Sequence, residues 1–226
     1  MKSFEPKIKT VAKAKPSVPE KAILWAVQNG YGNMPNGDRN CFPGMAAIVD
    51  RKSANRPPNP LATFGMAVSQ AQDRVWVIDQ YFLEPEKDKG SRQDRIDHIL
   101  HWMPETMLAN DIKFLTKSHN TSDNKEVDND LAKQFQEHAE IINVCRSKGS
   151  ARCVIEVRFS LMQSFDYVHD RFAIIDDELW HFGATVGGFH SLVSAATRGW
   201  RASEHGAEEF FVLAWDAPSQ MGKRYK

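Results

Sequence analysis

His169 and Arg171, with Asp176 five residues beyond the arginine, are the side chains whose types and spacing best suit catalysis. They lie in the run Tyr167-Val168-His169-Asp170-Arg171-Phe172-Ala173-Ile174-Ile175-Asp176, whose apolar stretch reads as a β-strand. Side chains alternate along a strand, so His169 and Arg171 project the same way, while Val168, Phe172 and Ile174 take mainly the other face and pack inward. An imidazole beside a fixed guanidinium suits attack on a phosphoryl group: the ring supplies a nucleophile or acid, and the cation neutralises the equatorial oxygens. On spacing alone, such a pair is more often a polar strand face than a catalytic site.

The run continues into Trp180-His181-Phe182-Gly183-Ala184-Thr185. His169-x-Arg171, four residues, Asp176, six residues and Gly183 together resemble the signature of the phospholipase D superfamily, His-x-Lys, four residues, Asp, six residues, Gly-Ser-x-Asn. Three positions depart from it. Arg171 stands for Lys, Ala184 for Ser and Val186 for Asn. Arginine keeps the charge and grips phosphate bidentately but is larger, and the lost Ser and Asn strip hydrogen-bonding groups from the phosphate rim. The resemblance therefore speaks more strongly for fold than for activity.

What the resemblance implies is an α/β fold with a mixed β-sheet sandwiched between helices. It also implies metal-independent phosphodiester cleavage through a phosphohistidine, with no cofactor. Arg171 would bind the phosphate, Asp176 would brace the motif, and Gly183 and Thr185 would line the substrate rim, Thr185 partly replacing the lost serine. Strands ending Asp-x-Tyr-Phe reach the active-site edge in this family. Asp79, in Asp79-Gln80-Tyr81-Phe82, would then line the pocket, or else serve as a strand-end turn residue. In single-motif members a strand near the C-terminus is opened by an acid that orients the histidine. Glu208, ahead of Glu209-Phe210-Phe211-Val212-Leu213-Ala214-Trp215, resembles that acid, with Glu209 the alternative.

The chemistry needs two imidazoles, one to attack and one to protonate the leaving oxygen. His98, His101, His119, His138, His190 and His205 lack the signature, and His181 reads as a surface residue. A catalytic version is therefore expected to be a homodimer with two His169 rings facing across a two-fold axis. Nucleic acid is the expected substrate rather than lipid: small single-motif relatives tend to be nucleases, and no membrane-docking amphipathic helix rich in Lys and Trp is evident. The competing expectation is a non-catalytic module that binds an anion or a protein partner within a larger assembly.

Composition fits one substantial core. The chain has 226 residues, 42% of them hydrophobic and 26% charged, with 13 Phe and 6 Trp, so one domain over 21–226 is expected behind a flexible basic arm over 1–20. The arm carries Lys2, Lys7, Lys9, Lys13 and Lys15 between Pro6, Pro16 and Pro19. Formal net charge is +0, so an anionic ligand must be drawn by a local patch rather than a global excess. Cys41, Cys145 and Cys153 form neither a metal-ligand spacing nor a disulfide framework, and no secretory leader or membrane-spanning run is apparent. Cytoplasmic residence is the default expectation.

The elements that must position the site read as follows. A strand is expected over Ala22–Val27, a Gly/Asn/Pro-rich loop over Asn29–Pro43, an apolar run near Met45–Val49 and a rigid connector over Asn55–Pro60. A helix over Thr63–Gln72 precedes a strong strand from Arg74 to Phe82. Ser91 with Asp94 caps a helix whose inner stripe is Ile96, Ile99, Leu100 and Met103. A strand over Asp111–Thr116, a long helix from about Lys125 to Ser147 and a strand over Cys153–Phe159 follow, then the His169 and Trp180 strands. Last come a helix near Ser191–Trp200 and a strand at Phe210. Alternation of this kind gives an α/β sandwich with functional groups at one end of the strands.

Overall fold

The structure, a computed structural model, describes residues 17–27, 30–31, 40, 42–53, 60–86, 90–164, 168–190 and 192–224. Residues 1–16 of the expected arm, most of the Asn29–Pro43 loop and all of the connector except Pro60 lie outside the described residues, as do Tyr167 and Ser191.

Three strands run parallel: β3 (Arg74–Ile78), β4 (Asp111–Leu115) and β5 (Val154–Arg158). Their crossovers carry helices α3 (Arg92–His101) and α4 (Val127–Cys145). β3 is buried along nearly its whole length, which is why it is a continuous β-branched and aromatic run rather than an alternating one. The remaining strands join antiparallel: β6 (Phe172–Ile175), β7 (Glu178–Phe182), β8 (Ala195–Arg201), β1 (Ala22–Val27) and the two-residue β2 (Gly30–Tyr31). The order across the sheet is β2-β1-β8-β7-β6-β3-β4-β5. The expected α/β class, a mixed sheet between helices, is the one the chain forms.

Each face of the sheet has its own core. On one, Phe64 and Val68 of α2 (Ala62–Ser69), Ile96 and Ile99 of α3, and Leu131, Phe135 and Ile142 of α4 cover Val75, Val77 and Trp180. On the other, Leu161 of the short α5 (Leu161–Ser164), and Phe211, Ala214 and Trp215 of α6 (Ala207–Arg224), cover Trp76, Ile78, Leu115 and Ile174. Ser91 and Asp94 close a reciprocal capping box: Asp94 N–H donates to Ser91 Oγ at 3.0 Å, and Ser91 N–H to Asp94 Oδ2 at 2.8 Å.

The apolar run at Met45–Val49, to which the sequence assigned no element, opens a helix, α1 (Met45–Ser53). Three readings are corrected. Residues 195–200, expected within a helix, lie instead in β8. Arg198, which no apolar stripe accounts for, is buried there against Glu178 of β7 through bonds of 2.7 and 3.0 Å. The Phe210 strand is instead the first half of α6: Phe211, Ala214 and Trp215 are buried at helical spacing, while Val212 and Leu213 are exposed. A short apolar run fits a strand and a buried helix equally, and packing decided between them. Finally, β6 begins at Phe172, so His169 precedes the strand instead of lying in it, although Phe182 N–H still donates to Arg171 O at 2.9 Å.

Candidate functional site at the sheet edge

The pairing register sets which residues meet. Ile78 lies opposite Phe172 and beside Leu115, and Phe172 lies opposite His181. The C-terminal ends of β3, β4, β5 and β7 therefore share one edge of the sheet with the N-terminal end of β6. Asp79, Arg171, His169, Gly183 and Thr185 all come to this edge. Asp176 and Glu208 do not.

Asp79 is fully buried. Its carboxylate accepts from Tyr81 N–H at 2.8 Å, closing a turn at the strand end, and from Val186 N–H at 2.7 Å, tying down the loop after β7. It is the turn residue of the strand end, buried beside Arg171. Burial pushes its pKa from 3.8 up to about 6, against the opposing pull of those two N–H groups and of the Arg171 and Arg95 charges.

Arg171 Nε lies 3.7 Å from Asp79 Oδ1, and its guanidinium sits 4.9 Å from the centre of the Tyr81 ring. A carboxylate and an aromatic face thus fix the cation, yet among the described residues it donates no hydrogen bond, and Nε is buried without an acceptor. Lys117 packs against the same ring at 4.5 Å and pairs with Glu84. The orientation foreseen for Arg171, opposite Phe172 and Ile174, is the one adopted, because both of those belong to the α6-side core.

His169 is exposed at the mouth of β6. Next to it, Asp170 Oδ1 lies 2.8 Å from His181 Nε2, a cross-strand pair of exposed side chains. Gly183 follows β7, where its N–H donates to Ala195 O at 2.9 Å and an added Cβ would stand 2.8 Å from Ser194 Oγ. Thr185 is buried one residue before the Val186 amide that holds Asp79.

The other two candidates lie at the far end of the same strands. Asp176 adopts a left-handed conformation (φ 56°) in the β6–β7 turn, a conformation Asp tolerates better than most residues. Its Oδ1 accepts from Asp73 N–H at 2.8 Å and Arg74 N–H at 3.1 Å, and its Oδ2 from Gln72 N–H at 3.0 Å. It braces the start of β3 and touches no reacting group. Glu208, expected to open a strand and hold the histidine, instead lies in the first turn of α6. There its carboxylate takes a bidentate pair from Arg74 at 2.7 and 2.8 Å.

Arg95 escaped the sequence reading. Nearly enclosed, it donates to Phe82 O at 3.2 Å and Phe189 O at 3.1 Å and stacks on Phe189 at 3.9 Å. Burial lowers its pKa to about 10, and its charge acts on Asp79. The signal was present: Arg95 stands four residues before Ile99, on the apolar stripe of α3, where a cation needs a reason. The His181–Asp170 pair gave no comparable signal, because a diagonal contact requires the register.

No family model matches the chain, and no match is found among curated proteins. Among solved structures, it is similar to TrmBL2, an archaeal chromatin protein described as showing a novel mode of DNA binding, with TM-score 0.37 and 10% identity over 69% of this chain and 47% of that one. It is also similar to a phosphatidylserine synthase of Haemophilus influenzae, with TM-score 0.36 and 15% identity over 69% of this chain and 38% of that one. The chain spans less than half the length of either. Among the described residues, no helix is long and apolar enough to cross a membrane.

Proposed function

We propose that the chain binds a phosphodiester at Arg171 and, as a homodimer, cleaves nucleic acid without a metal. The observation that carries the reading is the Arg171 guanidinium. It is held in place by Asp79 and Tyr81, half-buried, and spends none of its N–H groups on the protein. A preorganised cation with unspent donors is what an anionic oxygen requires, and it costs no reorganisation when the anion arrives.

In the catalytic step an imidazole nitrogen of His169 attacks phosphorus while the P–O ester bond breaks. The leaving oxygen takes a proton from the imidazolium of His169 in a second copy. Water, deprotonated by that second ring, then displaces His169 from phosphorus and completes hydrolysis. The exposure of His169 supports this pairing, since two rings meet across a two-fold axis only from the surface.

A second reading, an anion-binding module without turnover, draws on one specific observation. Glu208 is committed to Arg74 at the opposite end of the sheet, leaving His169 without the carboxylate expected to orient it. One experiment separates the two: incubation with DNA, RNA and a chromogenic phosphodiester in EDTA. The enzyme reading expects cleavage that His169→Ala abolishes while binding persists, and unchanged turnover by that variant refutes it. Binding without any wild-type turnover selects the module.

A further inference from the structure

A surface helix of a folded protein turns its apolar stripe to the core, and one that turns it to solvent marks an interaction face. α1 is such a helix. Met45, Ile48 and Val49 stand at i, i+3 and i+4 on one face and are 74%, 37% and 54% exposed. Lys52, a turn further along that face, is exposed as well, whereas Ala47 on the opposite face is half-buried. Phe42, three residues before the helix, is 81% exposed. The run is too short for its period to be read along the chain, so this face emerges only from the fold.

The segment leading into α1 is fastened to β1. Asn40 N–H donates to Ile23 O at 3.0 Å, and Ile23 N–H donates to Asn40 Oδ1 at 2.7 Å. The Phe42 ring lies 4.8 Å from that of Trp25. Trp25 pairs with Ala195 of β8, whose carbonyl takes the Gly183 N–H, so the foot of α1 stands on the same edge of the sheet as the candidate site. β8 and β7 separate β1 from β6, three strand spacings or about 14 Å. Charge is concentrated in this part of the chain. Residues 1–53 carry nine Lys and Arg against four Asp and Glu, +5 in a chain whose formal net charge is +0. The arm that holds five of those lysines joins β1 at Ala22, three residues or about 10 Å from Trp25, which is about one Debye length.

We propose that Phe42 and the outward face of α1 dock the protein on an anionic lipid surface. Two features have to be satisfied together, an apolar face and an excess of cations. A nucleic acid takes up the cations but leaves Met45, Ile48 and Val49 in water, and a neutral bilayer does the reverse. A surface that is negative at its headgroups and apolar just beneath them uses both. Lys52 fits the boundary, since its methylenes lie along the apolar face while its ammonium reaches back to the headgroups. With nine residues, about 14 Å, α1 is far too short to cross a bilayer and lies flat in its interface. The inference stands independently of the phosphodiester reading of Arg171.

The test is co-sedimentation of the full chain with phosphatidylcholine vesicles that either lack phosphatidylglycerol or contain about a third of it. Binding to the anionic vesicles is expected to be roughly tenfold tighter or more, and to weaken as salt is raised. Met45→Ser combined with Val49→Ser is expected to weaken it by roughly tenfold or more, with the thermal midpoint unchanged because both side chains already face water. Met45→Leu combined with Val49→Ile keeps the face apolar and should bind at the wild-type level or above; loss in this variant too would overturn the docking face. So would absence of sedimentation with anionic vesicles, equal binding to both vesicle types, or undiminished binding by the serine variant. A thymidine octamer whose binding falls in the serine variant as far as vesicle binding does would make α1 a nucleic-acid surface instead. Arg171→Gln should leave vesicle binding intact, and its loss would show the lipid held at the phosphate site rather than by α1.

Discussion

Replacing Asp79 by asparagine keeps the side-chain shape and removes a charge from a fully buried position, so its effect is best read as a function of pH. The wild-type carboxyl has its pKa raised from 3.8 to about 6 by burial. That displacement corresponds to roughly 3 kcal/mol by which the folded environment disfavours the ionised form. The sign follows from proton counting. Between pH 3.8 and about 6 the folded protein holds a proton that the unfolded chain has lost, so stability falls as pH rises through this window and is flat above it. Asp79→Asn removes that fall. In urea unfolding, the stability difference between wild type and variant should therefore change by about 3 kcal/mol between pH 3.5 and 7. The absolute difference at pH 7 is not diagnostic. The asparagine relieves a desolvated charge but turns an N–H toward either the Tyr81 or the Val186 amide, a mismatch worth about 1–3 kcal/mol the other way.

The same carboxylate opposes any anion on Arg171. For a phosphate about 7 Å beyond it, at an effective dielectric of about 20, the repulsion is about 2 kcal/mol, or some thirtyfold in Kd. Oligonucleotide binding should tighten as pH falls through 6 and should do so less in Asp79→Asn, which already binds more tightly at pH 7.5. The comparison with the variant matters because histidines titrate in the same range. Parallel pH profiles for the two proteins, in unfolding and in binding, would refute the electrostatic account of this edge.

Other outcomes follow from the geometry. Glu208→Gln should cost about 1 kcal/mol of stability through the weakened Arg74 pair, which is partly exposed, and leave ligand affinity and its pH dependence unchanged; altered turnover would return Glu208 to the site. Asp176→Ala, which strips the acceptor from the N–H groups of residues 72–74 and puts a Cβ-bearing residue without a compensating polar group at φ 56°, should cost about 2–4 kcal/mol by chemical unfolding, and Asp176→Asn less. Gly187→Ala, at φ +83° and with a Cβ only 2.3 Å from the Trp102 ring, should cost about 3 kcal/mol or more. Sedimentation velocity should report a dimer, and a monomer that cleaves would remove the shared-site mechanism.

Several features were determined by the sequence alone, because they are local. The apolar run of β3, the capping box at Ser91 and the stripe of α4 specify their elements whatever surrounds them. The alternation behind Arg171 likewise gave its face correctly, since a strand's pleat is independent of its neighbours. The final third was not local. Residues 195–200 and 207–215 exchange the helix and strand expected of them, because burying Arg198 against Glu178, and Phe211 with Trp215 over Trp76, outweighs weak intrinsic preferences.

The site divides the same way. His169, Arg171 and Asp79 could be singled out as residue types at suggestive spacings. Only the strand order brought Asp79 against Arg171 and set His181 on Asp170. It also sent Glu208 to the opposite end of the sheet. Hydrogen-bond registry between segments a hundred residues apart is a property of the closed structure, and no spacing along the chain encodes it.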